Sequence, residues 1–202
     1  MLLHPTYFPN IAHFVALIKS KEVVFEVCDN YQKQTYRNRS DIYSANGKLL
    51  LSVPVSYTQK LRQKTKDVLI SSVDDWQSKH LKSFDSAYRM SPFYEFYIDD
   101  LMPIFKTEFK YLLDLNLKCF ELLTKALELE ISTRLSEDFT IPDNSSYDFR
   151  NLVNTKKNNA FQFNKYTQVF TEKHGYITNL SILDLLFNEG PNAVNYLESQ
   201  TL

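Results

Sequence analysis

Glycine and cysteine are both scarce in this chain of 202 residues. Three glycines are too few for a Gly-rich phosphate-binding loop, a collagen-like repeat or a flexible linker, so the composition argues against those features. The two cysteines, Cys28 and Cys119, stand far apart, and neither belongs to a Cys-x-x-Cys pair. We therefore expect no disulfide framework, no metal centre and a reducing compartment.

A strong charge of one sign and a long hydrophobic run are also missing. The net charge is −1, so the molecule as a whole has no field that would gather nucleic acid or an anionic membrane. No segment approaches the roughly 20 apolar residues of a membrane span, and the start of the chain lacks the basic region of a signal peptide. These absences predict a cytoplasmic protein without a membrane span, and they disfavour nucleic acid as a partner.

Aromatic residues, in contrast, are abundant. The chain has 15 Phe and 13 Tyr, which bury large apolar areas and carry hydroxyls able to form hydrogen bonds at clefts. This length can build one domain with a substantial core, although two domains of about 100 residues would also fit. We expect a single domain over residues 1–202, whereas nothing in the sequence determines the oligomeric state.

The first third of the chain combines a helix with several strands. Apolar residues recur at helical spacing over residues 10–20, with Asn10 as the N-cap, and the β-branched run 23–27 follows as a strand. Residues 39–43 and 48–55 flank an Asn-Gly pair, which predicts a hairpin closed by a type I′ turn.

The remainder is mainly helical. Asp74 and Gln77 predict a capping box that opens a helix, and residues 112–129 have a long amphipathic pattern. Residues 131–141 begin with a strand-like pattern, and the polar segment 142–159 is predicted to be a mobile loop. The whole pattern indicates an α+β fold, in which a small mixed or antiparallel sheet from the N-terminal third is covered by a mainly helical C-terminal two-thirds.

Asp184 near the end of the chain has two interpretations. With Ser181 it fits a capping box at the start of a short helix. With Asn188, four residues later on the same helix face, it could instead present a carboxylate and an amide to a ligand.

Several segments follow, in order, the pattern of a known family. They are residues 4–9, similar to a Q-P-x-Y-F-P opening; 31–39, similar to Q-x-x-K-x-x-x-R-N-R; 51–55, similar to a strand ending in V-P-V; Trp76 and His80, which match W-x-x-x-H; 88–93; and 166–188. Through them nearly the whole chain resembles the WbqC-like protein family, with His4 where many members have Gln.

The resemblance implies a bacterial protein of a kind frequent in Bacteroidota. The family takes its name from genes found among those for O-antigen and other surface polysaccharides. It therefore implies a cytoplasmic protein of surface polysaccharide biosynthesis, acting on a nucleotide-activated or lipid-linked sugar. The reaction and any cofactor stay unknown, and a non-catalytic binding or assembly protein of the same pathway is the alternative.

The strongest local chemical signal is the basic charge of residues 30–66, where eight basic side chains accompany one acid, Asp41. Arg37 and Arg39 are two apart, so on a strand both would project to one face and could grip the phosphate of an anionic substrate such as a nucleotide sugar. The alternative is a solvated sheet face with basic edge residues. The predicted substrate-binding residues are Tyr7, Gln32, Lys33, Arg37, Asn38, Arg39 and Trp76.

His80 and His4 are the candidates for proton transfer. Trp76 and His80 lie one helical turn apart, so His80 could act as a general acid or base while Trp76 walls the substrate. His4 could approach the same site across the sheet. The alternative for His80 is a core helix in which it forms a hydrogen bond to a buried carbonyl.

Overall fold

The computed structural model describes residues 1–57, 62–139, 141, 147–156 and 161–202. The strands are β1 (Leu2–Leu3), β2 (Glu22–Phe25), β3 (Arg39–Ser44), β4 (Gly47–Ser52), β5 (Val55–Ser56), β6 (Leu69–Ile70) and β7 (Ser132–Leu135). The helices are α1 (Ile11–Leu17), α2 (Trp76–Tyr88), α3 (Tyr94–Lys106), α4 (Leu112–Ala126), α5 (Thr171–His174), α6 (Ile182–Glu189) and α7 (Ala193–Glu198). The α+β prediction is confirmed. Lys60 and, from the predicted mobile loop, residues 142–146 and 157–159 lie outside the described residues.

A three-stranded parallel sheet, in the order β1-β2-β7, organises the N-terminal half. Helix α1 connects β1 to β2, and the side chain of Asn10 caps it by accepting a hydrogen bond from the backbone N–H of His13 at 3.2 Å. Asp148 adds a parallel bridge on the other side of β1. Because these strands run in the same direction, their carboxyl ends meet at one edge of the sheet.

The predicted small sheet is present, but not all of its strands come from the N-terminal third as predicted. One strand of the parallel sheet, β7, comes from residues 132–135 rather than from the N-terminal third. The predicted hairpin is confirmed as β3-β4, but the type I′ turn is wrong. Ser44 pairs with Gly47, and among the turn residues only Gly47 has a positive φ, of +93°.

The N-cap of helix α2 is Asp75, one residue later than the predicted cap Asp74. The carboxylate of Asp75 accepts from the backbone N–H of Ser78, while Asp74 forms an ion pair with Lys79. The apolar face of α2 then packs into the core, where the ring of Phe84 meets those of Phe8 and Phe105. No helix in the described part of the chain is long and apolar enough to cross a membrane.

The capping-box interpretation of Asp184 is wrong. The hydroxyl of Ser181 caps α6 by accepting from the backbone N–H of Leu183. The buried carboxylate of Asp184 instead accepts from Tyr166 Oη at 2.5 Å and from Gln168 Nε2 at 2.9 Å. Burial raises the pKa of Asp184 to about 6, although the hydrogen bonds from its neutral donors act to lower it.

Gly190 follows α6 in a conformation that other residues rarely adopt. Its φ is +53°, and an added Cβ would lie 2.6 Å from the ring of Phe93. Gly190→Ala is therefore expected to lower the free energy of unfolding by about 2–4 kcal/mol in urea titrations, through backbone strain and overpacking. Gly175→Ala is the matched control, because Gly175 also has a positive φ but no atom within 4 Å of the added Cβ. Equal losses in the two variants would contradict the role assigned to Phe93.

Candidate functional site

A group of charged side chains lies buried where β1 and β2 end. His4 follows β1, Asp29 follows β2, and Arg37 reaches both of them. Nη2 of Arg37 lies 2.5 Å from Oδ2 of Asp29 and 2.9 Å from Nε2 of His4. The hydroxyl of Thr65 donates to the other Asp29 oxygen at 2.6 Å. We call these four residues the Arg37 cluster; ligands of open α/β sheets bind at this carboxyl edge of the strands.

The hydrogen bonds of His4 fix its protonation. A carbonyl can only accept, so Nδ1 donates to the backbone oxygen of Glu26 at 3.3 Å, and Nε2 is left to accept from Arg37. Burial and the neighbouring charge of Arg37 hold the pKa of His4 well below 6.5. His4 is therefore a neutral acceptor whose lone pair is already used.

The ion pair of Asp29 and Arg37 is almost completely removed from water. Burial raises the pKa of Asp29, and the charge of Arg37 together with the hydroxyl of Thr65 opposes that effect. A guanidinium stays protonated in proteins, so we assign Asp29 as its ionised partner. Sequence reasoning missed Asp29 and Thr65, although an acidic residue just after a buried strand is a signal for this edge.

Arg39 differs from Arg37 in having no acidic partner. It is half-buried, its Nε is enclosed without a hydrogen-bond partner, and it forms no ion pair with any described residue. Burial raises the pKa of Tyr31 to about 12, and the charges of Arg37 and Arg39 both act to lower it. Arg37 and Arg39 thus both lie near the hydroxyl of Tyr31. The premise that both lie on one strand is wrong, because β3 begins at Arg39.

Buried polar atoms without partners gather around these arginines. Asn116 Nδ2 donates to the carbonyl oxygens of Pro5 and Arg37, at 3.2 and 2.8 Å, which brings three segments together. Unsatisfied side-chain atoms in these segments belong to Thr6, Arg37, Asn38, Arg39 and Asn116. Since a buried polar atom without a partner costs about 1–3 kcal/mol, such a concentration is typical of a place that a polar ligand or water completes.

Three other predicted binding residues surround the Arg37 cluster. Gln32 and Lys33 are exposed, at what we call the rim of the cluster, and Asn38 has a structural partner. Lys33 places its Nζ 5.1 Å from the ring centroid of Tyr57, which packs on Tyr31 at 5.0 Å. The amide of Asn38 donates to the backbone oxygen of Val53 at 2.8 Å and ties the segment to the end of β4.

Basic side chains surround this rim. The segment after residue 61 runs beside the one that follows β2, since the N–H of Tyr31 donates to the carbonyl of Gln63 and the N–H of Lys66 to that of Val27. Four exposed cations on these segments have no carboxylate within 4 Å among the described residues: Lys33, Arg62, Lys64 and Lys66. The local charge is therefore positive although the net charge of the chain is −1.

Tyr7, Trp76 and His80 form a separate network in the core. Tyr7 Oη lies 2.9 Å from Nδ1 of His80, and a backbone hydrogen bond with Ser52 favours the protonated ring. Burial lowers the pKa of His80 to about 4. The ring of Trp76 contacts both partners edge-on. This arrangement is the one that the core interpretation of His80 predicts, and a catalytic role for His80 stays a prediction.

The two histidines predicted for proton transfer therefore belong to different networks. His4 bonds to Arg37 and to Glu26, and His80 bonds to Tyr7 and to Ser52. Among the described residues no group of three or more His, Cys, Asp or Glu side chains is placed to hold a metal ion.

Comparison with known sequences supplies a family. A sequence model described as the WbqC-like protein family matches residues 4–160, well over half of the chain. The chain belongs to the WbqC-like protein family. An uncharacterized protein of Mycobacterium tuberculosis, Rv1507c, is 24% identical to this WbqC-like protein over 224 aligned residues, which cover 97% of this chain and 96% of the relative. No solved structure matches it.

The matched region of this WbqC-like protein contains every site residue that the sequence predicted, from His4 to His80, and also Asp29 and Thr65. The Asp184 network lies beyond residue 160. The match to the family therefore includes both the Arg37 cluster and the core network around His80.

Proposed function

We propose that this WbqC-like protein acts in the cytoplasm during formation of a bacterial surface polysaccharide, and that it binds a nucleotide-activated or lipid-linked sugar through the diphosphate. The observation that carries the proposal is the guanidinium of Arg39, which is half-buried beside the buried Arg37 and has no acidic partner among the described residues. An arginine left unpaired in this way favours a ligand that brings its own negative charge.

The two arginines have different parts in this proposal. Arg37 is held by Asp29 and His4, and Asp29 balances its charge, so Arg37 supports the site rather than offering a free fork to a ligand. Arg39 contributes the fork that a phosphate oxygen accepts from. Lys33 and the other basic residues of the rim raise the local potential, which attracts an anion although the chain as a whole is nearly neutral.

The alternative function is a non-catalytic binding or assembly protein of the same pathway. One observation favours it: both ring nitrogens of His4 and Nδ1 of His80 have hydrogen-bond partners, and burial keeps both rings neutral. A general acid or base needs a position that can exchange a proton with the substrate. The enzyme proposal, with transfer of a small group to the sugar as its reaction, therefore needs a rearrangement at one of these rings or another proton carrier.

Arg39→Ala tests the phosphate contact. We expect nucleotide sugars, supplied as a panel with UDP, GDP, dTDP and CMP as the nucleotide, to include one that raises the melting temperature of the unchanged protein by about 5–10 °C at a hundredfold excess over its Kd. In Arg39→Ala the affinity should fall at least about tenfold, because one charge-assisted hydrogen bond contributes about 1.5–3 kcal/mol. Arg37→Ala is unsuitable, since it would unpair Asp29.

Arg89→Ala is the matched control, because Arg89 lies on the surface of α2 in an ion pair with Asp85. An equal rise in melting temperature with the nucleotide sugar in Arg39→Ala and Arg89→Ala would contradict the role of Arg39. Binding of a single-stranded oligonucleotide that weakens steeply with salt, with no response to any nucleotide sugar, would overturn the proposal in favour of nucleic acid. Incubating the bound sugar with pathway extracts, and analysing it by mass spectrometry, separates an enzyme from a binding protein.

A further inference from the structure

A second cleft lies beside the start of α2. It has a volume of about 720 Å³ and runs between the end of β6 with the start of α2 on one side and residues 108–110 on the other. The side chains that give it chemical character are Ser71, Asp75, Trp76, Gln77, Glu108 and Phe109. This volume is in the range of small-molecule sites.

The amide of Gln77 is locked in this cleft. Its Nε2 donates to the carbonyl oxygens of Ile104 at 2.7 Å and Thr107 at 2.8 Å, both at the end of α3. Both amide protons are thereby used, so Oε1 is left as a fixed acceptor. A fixed acceptor in a cleft selects for a ligand that donates hydrogen bonds.

The side chain of Trp76 is also fixed by its contacts. Its ring meets Tyr7 and His80 in edge-on contacts with centroids 5.9 and 5.3 Å apart, and only 6% of the residue is exposed. The cleft is therefore lined by a rigid, nearly buried indole and by the partly buried ring of Phe109. Aromatic carbon beside fixed acceptors suits a ligand that carries both C–H surfaces and hydroxyls.

The charges of the cleft disfavour an anionic ligand. Asp74 is paired with Lys79, whereas Asp75 caps α2 through a backbone N–H and keeps its negative charge. Glu108 has no ion-pair partner among the described residues, and Lys110, which also lines the cleft, places its Nζ 5.3 Å from the ring centroid of Tyr111. Two carboxylates and one cation leave the cleft slightly negative, and carboxylate oxygens can accept hydrogen bonds from the hydroxyls of a neutral ligand.

We propose that this cleft binds a neutral saccharide, with Gln77 and Glu108 accepting from its hydroxyls and Trp76 forming the wall. A short chain of contacts joins it to the anion site: Arg39 pairs with Ser52, the backbone of Ser52 bonds to His80, and His80 lies one turn from Trp76. A role as the site of an acceptor sugar rests on the proposed function, whereas saccharide binding itself is measured independently of it.

Intrinsic fluorescence reports on this cleft directly, because Trp76 is the one tryptophan of the chain. Glucose, galactose, mannose, N-acetylglucosamine, lactose and maltose are titrated separately, and isothermal calorimetry provides a second readout. We expect at least one of them to change the emission in a saturable way. Glu108→Gln should weaken that ligand about tenfold, because a hydrogen bond to a charged acceptor is replaced by a neutral one.

Glu95→Gln is the control, since Glu95 is exposed on α3 and does not line the cleft, and its affinity should be unchanged. No saccharide response in either readout, or equal affinities in Glu108→Gln and the unchanged protein, would overturn the assignment. Preferential binding of tetramethylammonium would replace the saccharide with a cation. Arg39→Ala should keep saccharide affinity while losing nucleotide-sugar affinity, so failure of one proposal is distinguished from failure of the other.

Discussion

Asp29→Ala is expected to lower the free energy of unfolding by about 3–5 kcal/mol, the largest effect that we expect of any single substitution in the Arg37 cluster. The substitution leaves the guanidinium of Arg37 buried with only His4 and Thr35 as hydrogen-bond partners. A buried charge without a counter-charge is costly because the low-dielectric interior does not solvate it. Urea denaturation followed by circular dichroism at pH 7 measures the loss.

The double variant Asp29→Ala/Arg37→Met separates the ion pair from simple packing. Removing the stranded charge as well should recover part of the loss, so the double variant is expected to be more stable than Asp29→Ala alone. Asp85→Ala is the matched control, because Asp85 pairs with Arg89 on the surface, where such pairs contribute about 0–1 kcal/mol. A loss below about 1 kcal/mol in Asp29→Ala would show that the pair is not buried as described.

The second large effect is a steep loss of stability in acid. Burial lowers the pKa of His13 to about 3 and that of His80 to about 4, and it holds that of His4 well below 6.5. Between these values and about 6.5, the unfolded chain binds protons that the folded protein does not. Each such proton lowers the free energy of unfolding by about 1.4 kcal/mol for every pH unit of acidification.

The buried carboxyl of Asp184 acts in the opposite direction. Burial raises its pKa to about 6, so below that pH the folded protein binds a proton that the unfolded chain takes up only near pH 4. The raised pKa of Asp29 adds to this opposing effect. Near pH 5 the free energy of unfolding is therefore expected to fall by about 3 kcal/mol, or somewhat less, for each pH unit of acidification.

Urea titrations at pH 7, 6 and 5 measure that slope. His13→Leu removes one titrating group, so the slope should decrease by ~1.4 kcal/mol per pH unit. Asp184→Asn should increase the slope by a similar amount. His174→Gln is the control, because His174 is exposed, and it should leave the slope unchanged. A stability that stays constant from pH 7 to pH 5 would contradict the buried, neutral state of the three histidines.

The first prediction bears on the proposed function through Arg37. An ion pair whose loss costs about 3–5 kcal/mol holds Arg37 in place, so the arginine available to a ligand is Arg39. The two arginines are therefore not equivalent, because Arg37 is paired with Asp29. A part in binding for the basic residues of the rim stays a prediction.

Local features of the fold followed from the sequence alone. The Asn10 cap, the hairpin around Gly47, the amphipathic pattern of α4 and the ordered family segments were all predicted. Each depends on residues within a few positions of one another, where side-chain spacing and backbone preference determine the outcome. The same reasoning failed by one residue at Asp74, because neighbouring acidic residues offer equivalent caps.

The tertiary structure alone decided which polar side chains are paired and which are left available. Arg37 meets His4 and Asp29, Asp29 meets Thr65, and Asp184 meets Tyr166, through contacts between segments distant in sequence. An ion pair or a shifted pKa depends on the atoms within about 4 Å and on the exclusion of water. Sequence spacing therefore indicated the family and the basic segment, whereas the paired state of Arg37 and the free state of Arg39 were decided by how the strands and the following segments come together.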